Sequence, residues 1–485
     1  MRNQTWVWWL VLVCCIGCGS AAKQRPNIVM FMTDDQAWHA MGAYGNPVLE
    51  TPQMDRIADG GLRFQYAFVV NSLCTPSRVS YLTGRYGHST GVITNQGEPN
   101  AQLDWYDDAY ISNMRNAVGA PVMPTSEIIF PQILQQNGYQ TAFIGKSHIA
   151  PNNRDRNYDY YFGFEGQGRY REPLIAENFG DDVFEDRRYE GHVTDVLGDH
   201  AVKFLRDVRD ADRPFCLLVW FKAPHANWDA ADRFKNVFDG VTFPRPETWD
   251  YDLNLKIPAV RNTYMQVGKA DKTTDYDSYM KNYYQTLLGV DDNVGKVLDA
   301  LDDLQLTDDT AVLYTSDNGM FLGEFNMLDK RLMYEPSIRV PFLVRYPGMT
   351  SAKAVTERMI LNIDVAPTVL DLAGVVIPEN MHGRSFVPVL QGNEENWRED
   401  WLYEYYEYPW WHRVKPFRGV RTDRYKYIHW YSTDLDQFEL YDLQNDPTEI
   451  NNLADDPAYA DLRKQLHARM QVLRKESDDP DLGKN

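Results

Sequence analysis

The sequence predicts an α/β fold: a large, mostly parallel sheet sandwiched by helices, followed by a smaller antiparallel sheet with one helix. Three observations carry this reading. Short β-rich runs alternate with amphipathic helical stretches along most of the chain. The runs are apolar without polar alternation, as strands covered on both faces require. Beyond about residue 390 the texture changes to aromatic segments with charged neighbours.

Taken in order, residues 1–22 open with Arg2, continue through an apolar run from Trp6 to Ile16 and end in small residues. This is the layout of a secretory signal, and the run is too short to span a membrane comfortably. Ser20-Ala21-Ala22 offers a cleavage site. Alternatively, Cys15-Ile16-Gly17-Cys18 is similar to a lipoprotein box, in which Cys18 would carry lipid. The protein is therefore expected to be exported: periplasmic, extracellular, or lipid-anchored at the cell surface, with membrane contact only through Cys18.

Apolar runs at 28–32, 141–144, 215–221, 311–315 and 340–344 are the expected strands. Between them, Val193, Val196, Leu197, Ala201, Phe204, Leu205 and Val208 recur at helical spacing. His200 lies on that stripe and reads as a packing residue. A second helix is expected over 284–304, with Leu287, Val294, Val297, Leu298 and Leu301 on its buried side. Strand-like segments at 401–403, 425–428 and 440–443, then a helix over 462–473, form the smaller unit. The expected division is 1–22 signal, 25–390 catalytic α/β domain and 391–485 C-terminal α+β subdomain.

The 485 residues carry 69 acidic and 49 basic side chains, a formal net charge of -20 that argues against a general nucleic-acid binder. Of the five cysteines, Cys14, Cys15 and Cys18 belong to the targeting segment. Only Cys74 and Cys216 remain, so the body is no disulfide scaffold. Cys216 sits in an apolar run and reads as a small buried hydrophobe. Cys74 is expected in a polar loop.

In open parallel sheets, ligands bind beyond the carboxyl ends of the strands. The residues following the runs are Thr33-Asp34-Asp35, Gly145-Lys146-Ser147-His148, Lys222-Ala223-Pro224-His225 and Ser316-Asp317-Asn318-Gly319. Each alone fits a turn or a helix cap. Together, Asp34, Asp35, Asp317 and Asn318 offer hard oxygen donors suited to Ca²⁺ or Mg²⁺, and Lys146, His148 and His225 could face a bound anion.

The missing nucleophile lies in Cys74-Thr75-Pro76-Ser77-Arg78, followed by Leu82-Thr83-Gly84-Arg85. This long pattern resembles the signature of the type I, formylglycine-dependent sulfatases of the alkaline-phosphatase-like superfamily. The resemblance continues through the four strand-end clusters, Asp329-Lys330, Tyr334-Glu335-Pro336-Ser337-Ile338-Arg339-Val340-Pro341 and Leu440-Tyr441-Asp442-Leu443. It implies that Cys74 is converted to formylglycine by a generating or maturase enzyme. It also implies that calcium, rather than magnesium, is held by Asp34, Asp35, Asp317, Asn318 and residue 74.

The further implied roles are Arg78 on the hydrated aldehyde, Lys146 and Lys330 on sulfate oxygens, His225 as acid and His148 as base. One departure is Ser147, where the family often has an aromatic residue. The detail around 138–170, 339–346 and 382–384 looks most like glycan sulfatases, the N-acetylglucosamine-6-sulfatase branch among them. His382 and Arg384 are candidate substrate contacts, against the alternative of a structural turn. Tyr405, Tyr406, Tyr408, Trp410 and Trp411 either line a sugar site or pack the smaller domain. The rival functions are a phosphate or phosphonate monoester hydrolase and a catalytically silent glycan-binding protein.

Overall fold

The computed structural model describes residues 25–95, 123–149, 156–164, 166–180, 184–267, 275–408, 410, 412–432, 434–480 and 482. The expected signal with Cys14, Cys15 and Cys18, together with Trp411, lies outside the described residues. Among those described, no helix is long and apolar enough to cross a membrane.

Ten strands form the main sheet, in the spatial order Ala354–Thr356, Leu62–Phe64, Phe342–Arg345, Thr310–Ser316, Asn27–Thr33, Phe215–Trp220, Gln140–Lys146, Tyr160–Phe164, Leu174–Asn178 and Glu185–Arg188. Phe342–Arg345 and Leu174–Asn178 run antiparallel to their neighbours, and the four central strands are mutually parallel. The run expected at 340–344 thus forms a strand two residues later, against the grain of the sheet.

Strand Asn27–Thr33 shows why these runs lack alternation. Ile28, Met30 and Met32 enter one core with Phe130, Leu134, Val365 and Val369, whereas Val29 and Phe31 enter a second with Val193, Leu197, Val294 and Leu298. Both faces are therefore covered by helices. The expected helix at 193–208 is α-helical over Val193–Lys203 and continues as a π-helical turn, Phe204–Val208. His200 stacks on Phe162 with ring centroids 3.6 Å apart, a packing role. The second helix spans Tyr276–Asp303 and starts two turns before the apolar pattern does, where the Asp275 side chain accepts from Asp277 N.

The smaller unit is a four-stranded antiparallel sheet, Asp400–Tyr405, Phe417–Thr422, Tyr425–Ser432 and Leu435–Asp442, with helix Ala460–Glu476 packed on it. Its aromatic side chains share one core with Phe68, Val70 and Leu73, which lead into the helix bearing Cys74.

Candidate active site

Strand register assembles the site. Thr33 pairs with Ser316, so the chain delivers Asp34 and Asp35 beside Asp317 and Asn318. Gly145 pairs with Trp220, which brings Lys146 and His148 alongside Lys222 and His225. A Cβ at Gly145 would lie 1.9 Å from Trp220 O, and its φ is +122°, so this close approach of strands needs glycine. From the opposite side comes helix Cys74–Thr83, every residue of it buried, with Cys74 as its first residue rather than in a loop.

Asp34, Asp35, Asp317, Arg78, Lys146 and Cys74 are each no more than 2 % exposed. Arg78 Nε donates to Asp317 Oδ2 at 2.9 Å, and its Nη1 donates to Lys146 O at 2.6 Å. Lys146 Nζ bonds Asp34 Oδ2, and Lys330 Nζ bonds Asp35 Oδ1. The Cys74 Sγ lies 3.4 Å from Asp34 Oδ1 and 3.3 Å from Lys330 Nζ. His225 Nε2 is 3.8 Å from Asp35 Oδ2. Lys330 and its neighbour Arg331 are buried, at 3 % and 6 % exposure.

The donor set fits a hard divalent cation. Carboxylate oxygens of Asp34, Asp35 and Asp317 all lie within 4.8 Å of one another, and the buried Asn318 Oδ1 has no hydrogen-bond partner among the described residues. Burial and the Asp34 charge push Asp317 up to about 7, against the opposing pull of Arg78. Burial would also raise Asp34, but Lys146, His225 and Arg78 outweigh it and hold that carboxyl well below its ordinary range.

The remaining titratable groups are tuned by the same burial. Desolvation and the Lys146 charge hold His148 well below the usual imidazole value and bring His225 down to about 3. Burial, then Asp34, pushes the Cys74 thiol well above its ordinary value, so it is no ready thiolate. The Cys216 thiol, in mid-sheet, is likewise pushed up by burial.

A cleft of about 460 Å³ opens onto this cluster, lined by Asp35, His148, His225 and Lys330 and walled by Trp228, Tyr279 and Trp410. His382 and Arg384 do not line it. His382 Nδ1 accepts from Tyr86 N at 3.1 Å, and its ring lies 5.6 Å from the Tyr86 ring and 6.1 Å from that of His88. Arg384 is exposed, its guanidinium 5.6 Å from the Trp397 ring. Both therefore sit outside this cleft, with the contacts of a structural turn. Of the aromatic group, Trp410 lines the cleft, while Tyr405 is fully buried and stacks on Phe417.

Sequence reasoning passed over several residues here. Gln167 Oε1 accepts from Lys146 Nζ at 2.7 Å. Asn95 Oδ1 accepts from Thr75 N at 3.0 Å, next to Cys74, while Asn95 N donates to Glu407 Oε1. Lys222 is buried at 4 % exposure and brought down to about 8 by desolvation and the neighbouring Lys146. Only Lys222 carried a signal, its place after a strand.

Comparison with known proteins bears on this geometry. The family model described as Sulfatase matches residues 26–375, and one described as N-sulphoglucosamine sulphohydrolase, C-terminal matches residues 323–476. The chain is 33% identical to an N-acetylglucosamine-6-O-sulfatase of Bacteroides thetaiotaomicron over 97% of this chain and 90% of that one. It is 32% identical to the N-acetylglucosamine-6-sulfatase of Homo sapiens, covering 82% of this chain and 70% of that protein. A protein solved in complex with its substrate D-glucosamine-2-N,6-O-disulfate superimposes with a TM-score of 0.83 at 33% identity, over 94% of this chain and 99% of the other. On the family match over residues 26–375 and these relatives, the chain belongs to the sulfatase family and is a sulfuric ester hydrolase.

Proposed function

We propose that this protein removes the 6-O-sulfate from an N-acetylglucosamine or glucosamine unit of a sulfated glycan, using formylglycine made from Cys74 and a calcium ion. The observation that carries the reading is the position of Cys74: its Sγ stands 3.4 Å from Asp34 Oδ1 and 3.3 Å from Lys330 Nζ, at the first turn of a buried helix. Relatives named for N-acetylglucosamine 6-sulfate, and a structural neighbour holding a glucosamine 6-O-sulfate, support the choice of sugar.

Asp34, Asp35, Asp317 and Asn318 would hold the cation together with residue 74. The formylglycine hydrate at residue 74 would supply the nucleophilic hydroxyl and a second one for release of sulfate, and the cation would supply positive charge against the sulfate oxygens. Lys146 and Lys330, both within the cluster, bind sulfate oxygens, and Arg78 fixes Asp317 and the floor of the site. His225, whose side chain is 18 % exposed, reaches the cleft and gives a proton to the departing sugar oxygen. Burial, and then the Lys146 charge, keep this imidazole neutral, and a sulfate anion beside Lys146 and Lys330 offsets the second of these. His148, held unprotonated by burial and Lys146, accepts the proton when sulfate is released.

Cys74 is fully buried in the folded chain, so the modifying enzyme has to act before folding closes the site. The same reading includes export, by cleavage after the signal or by lipidation at Cys18, which would bring the enzyme to extracellular glycans. The test is mass spectrometry of the peptide bearing Cys74 from active enzyme, with sulfate release from N-acetylglucosamine 6-sulfate compared with phosphate release from the 6-phosphate. A free thiol in fully active protein, or faster turnover of the phosphate, defeats the proposal.

A further inference from the structure

Asp35 has φ +69°, a left-handed conformation that costs a non-glycine residue free energy unless its surroundings impose it. Most polar groups of its turn have partners close by. Asp34 N donates to Ala223 O, Asp35 N to Asp317 Oδ1 at 3.0 Å and Gln36 N to Ser316 Oγ at 2.9 Å. The Gln36 side chain accepts from Thr33 Oγ1 and Tyr314 OH.

Two more backbone groups of the turn are the carbonyl of Asp35 and the amide of Ala37. Both meet one atom: Tyr283 OH donates to Asp35 O at 2.7 Å and accepts from Ala37 N at 2.9 Å. Tyr283 is fully buried on helix Tyr276–Asp303, about 250 residues away in sequence, with its ring against Trp228 of the cleft wall. The hydroxyl thus closes the turn from outside, and it touches neither the carboxylates nor the cleft.

We infer that Tyr283 is a positioning residue, which holds the Asp34-Asp35 turn in its left-handed form so that the Asp35 carboxylate stays in the cation-binding set. The inference rests on the proposed calcium at Asp34, Asp35, Asp317 and Asn318. A hydroxyl in this place acts through backbone geometry, so its removal loosens one ligand without removing any. Supporting groups of this kind change metal affinity by about 10–100-fold.

Tyr283→Phe deletes the oxygen alone. Tyr284→Phe is a matched control, since Tyr284 is 5 % exposed and its hydroxyl accepts instead from Asn46 Nδ2 at 2.8 Å. Calcium affinity is measured by titration calorimetry on the full chain after removal of metal by chelation. Tyr283→Phe is expected to weaken binding at least about tenfold and to lower kcat with little change in KM, while Tyr284→Phe matches wild type. Equal affinities for Tyr283→Phe and wild type, or equal losses in both variants, overturn the inference. A wild type that takes up no calcium overturns the cation reading and this inference with it.

If Tyr283→Phe does not fold, hydrogen exchange of the wild-type peptide containing Ala37 still decides. Protection that persists in chelator is expected, because the amide's partner is a tyrosine rather than a cation-ordered ligand. Rapid exchange in chelator, restored to protection by calcium, refutes the clamp.

Discussion

Replacing Arg78 by methionine tests whether this guanidinium is the counter-charge that lets Asp317 exist inside the protein. Arg78 is fully buried, with Nε and Nη2 both 2.9 Å from Asp317 Oδ2 and Nη1 donating to Lys146 O. Methionine keeps most of the length that packs beside Trp220, where the guanidinium lies 5.3 Å from the ring. What disappears is the charge, two hydrogen bonds and the Nη2 ion contact with Asp317. Stripping one partner from a buried ion pair costs about 3–5 kcal/mol, because the other charge is left unmatched. Urea unfolding in chelator at about pH 9, where Asp317 is ionised despite its raised value of about 7 and no cation can substitute, should show Arg78→Met destabilised by about that amount.

Adding Asp317→Asn removes the unmatched charge, and the double variant should regain about 2 kcal/mol. Turnover should not return, because the cation has lost a ligand. Stability and activity are therefore expected to part company within one mutant cycle. Arg78→Met within about 1 kcal/mol of wild type, or a double variant less stable than the single one, would refute the pairing.

Three further outcomes follow from the same geometry. Cys74→Ala should abolish sulfate release, whereas Cys216→Ser should leave kcat unchanged and lower stability by about 1–3 kcal/mol, having placed a hydroxyl in a sealed strand; urea melts and initial rates check both. Chelation should remove turnover reversibly, and calcium at about 100 times its Kd should raise stability by about 2.7 kcal/mol, an increment absent in Asp317→Ala. His88 is bonded at both ring nitrogens, Nδ1 to Glu404 Oε2 and Nε2 to Ser477 O, each at 2.7 Å, which calls for an imidazolium. Burial lowers its pKa, but Glu404 and Ser477 raise it more, leaving it above 6.5. The stability it contributes is then full below pH 6.5 and lost as pH rises through the folded-state value; the urea-midpoint gap between wild type and His88→Ala should shrink over that range.

What could be read from the sequence divides along a physical line. The groups proposed to meet the sulfate or cation sit at the ends of buried strands, and a polar cluster after an apolar run is a local signal; Asp34, Lys146, His225 and Asp317 all announce themselves so. The strands are legible for the same reason, since burial on both faces leaves no alternation. Groups that hold the reacting residues carry no such mark. Tyr283 looks like any tyrosine on an amphipathic helix until its hydroxyl is seen between Asp35 O and Ala37 N. Gln167 and Asn95 are loop amides whose partners lie 21 and 20 residues away. His382 and Arg384 can be read from sequence as substrate contacts or as a structural turn, and the fold favours the turn, since a Cβ at Gly383 would lie 1.9 Å from Ile363 O. Chemistry is written in residue type, which one chain displays directly. Positioning is written in which distant backbone atom a hydroxyl or amide happens to reach, and that exists only once the fold has formed.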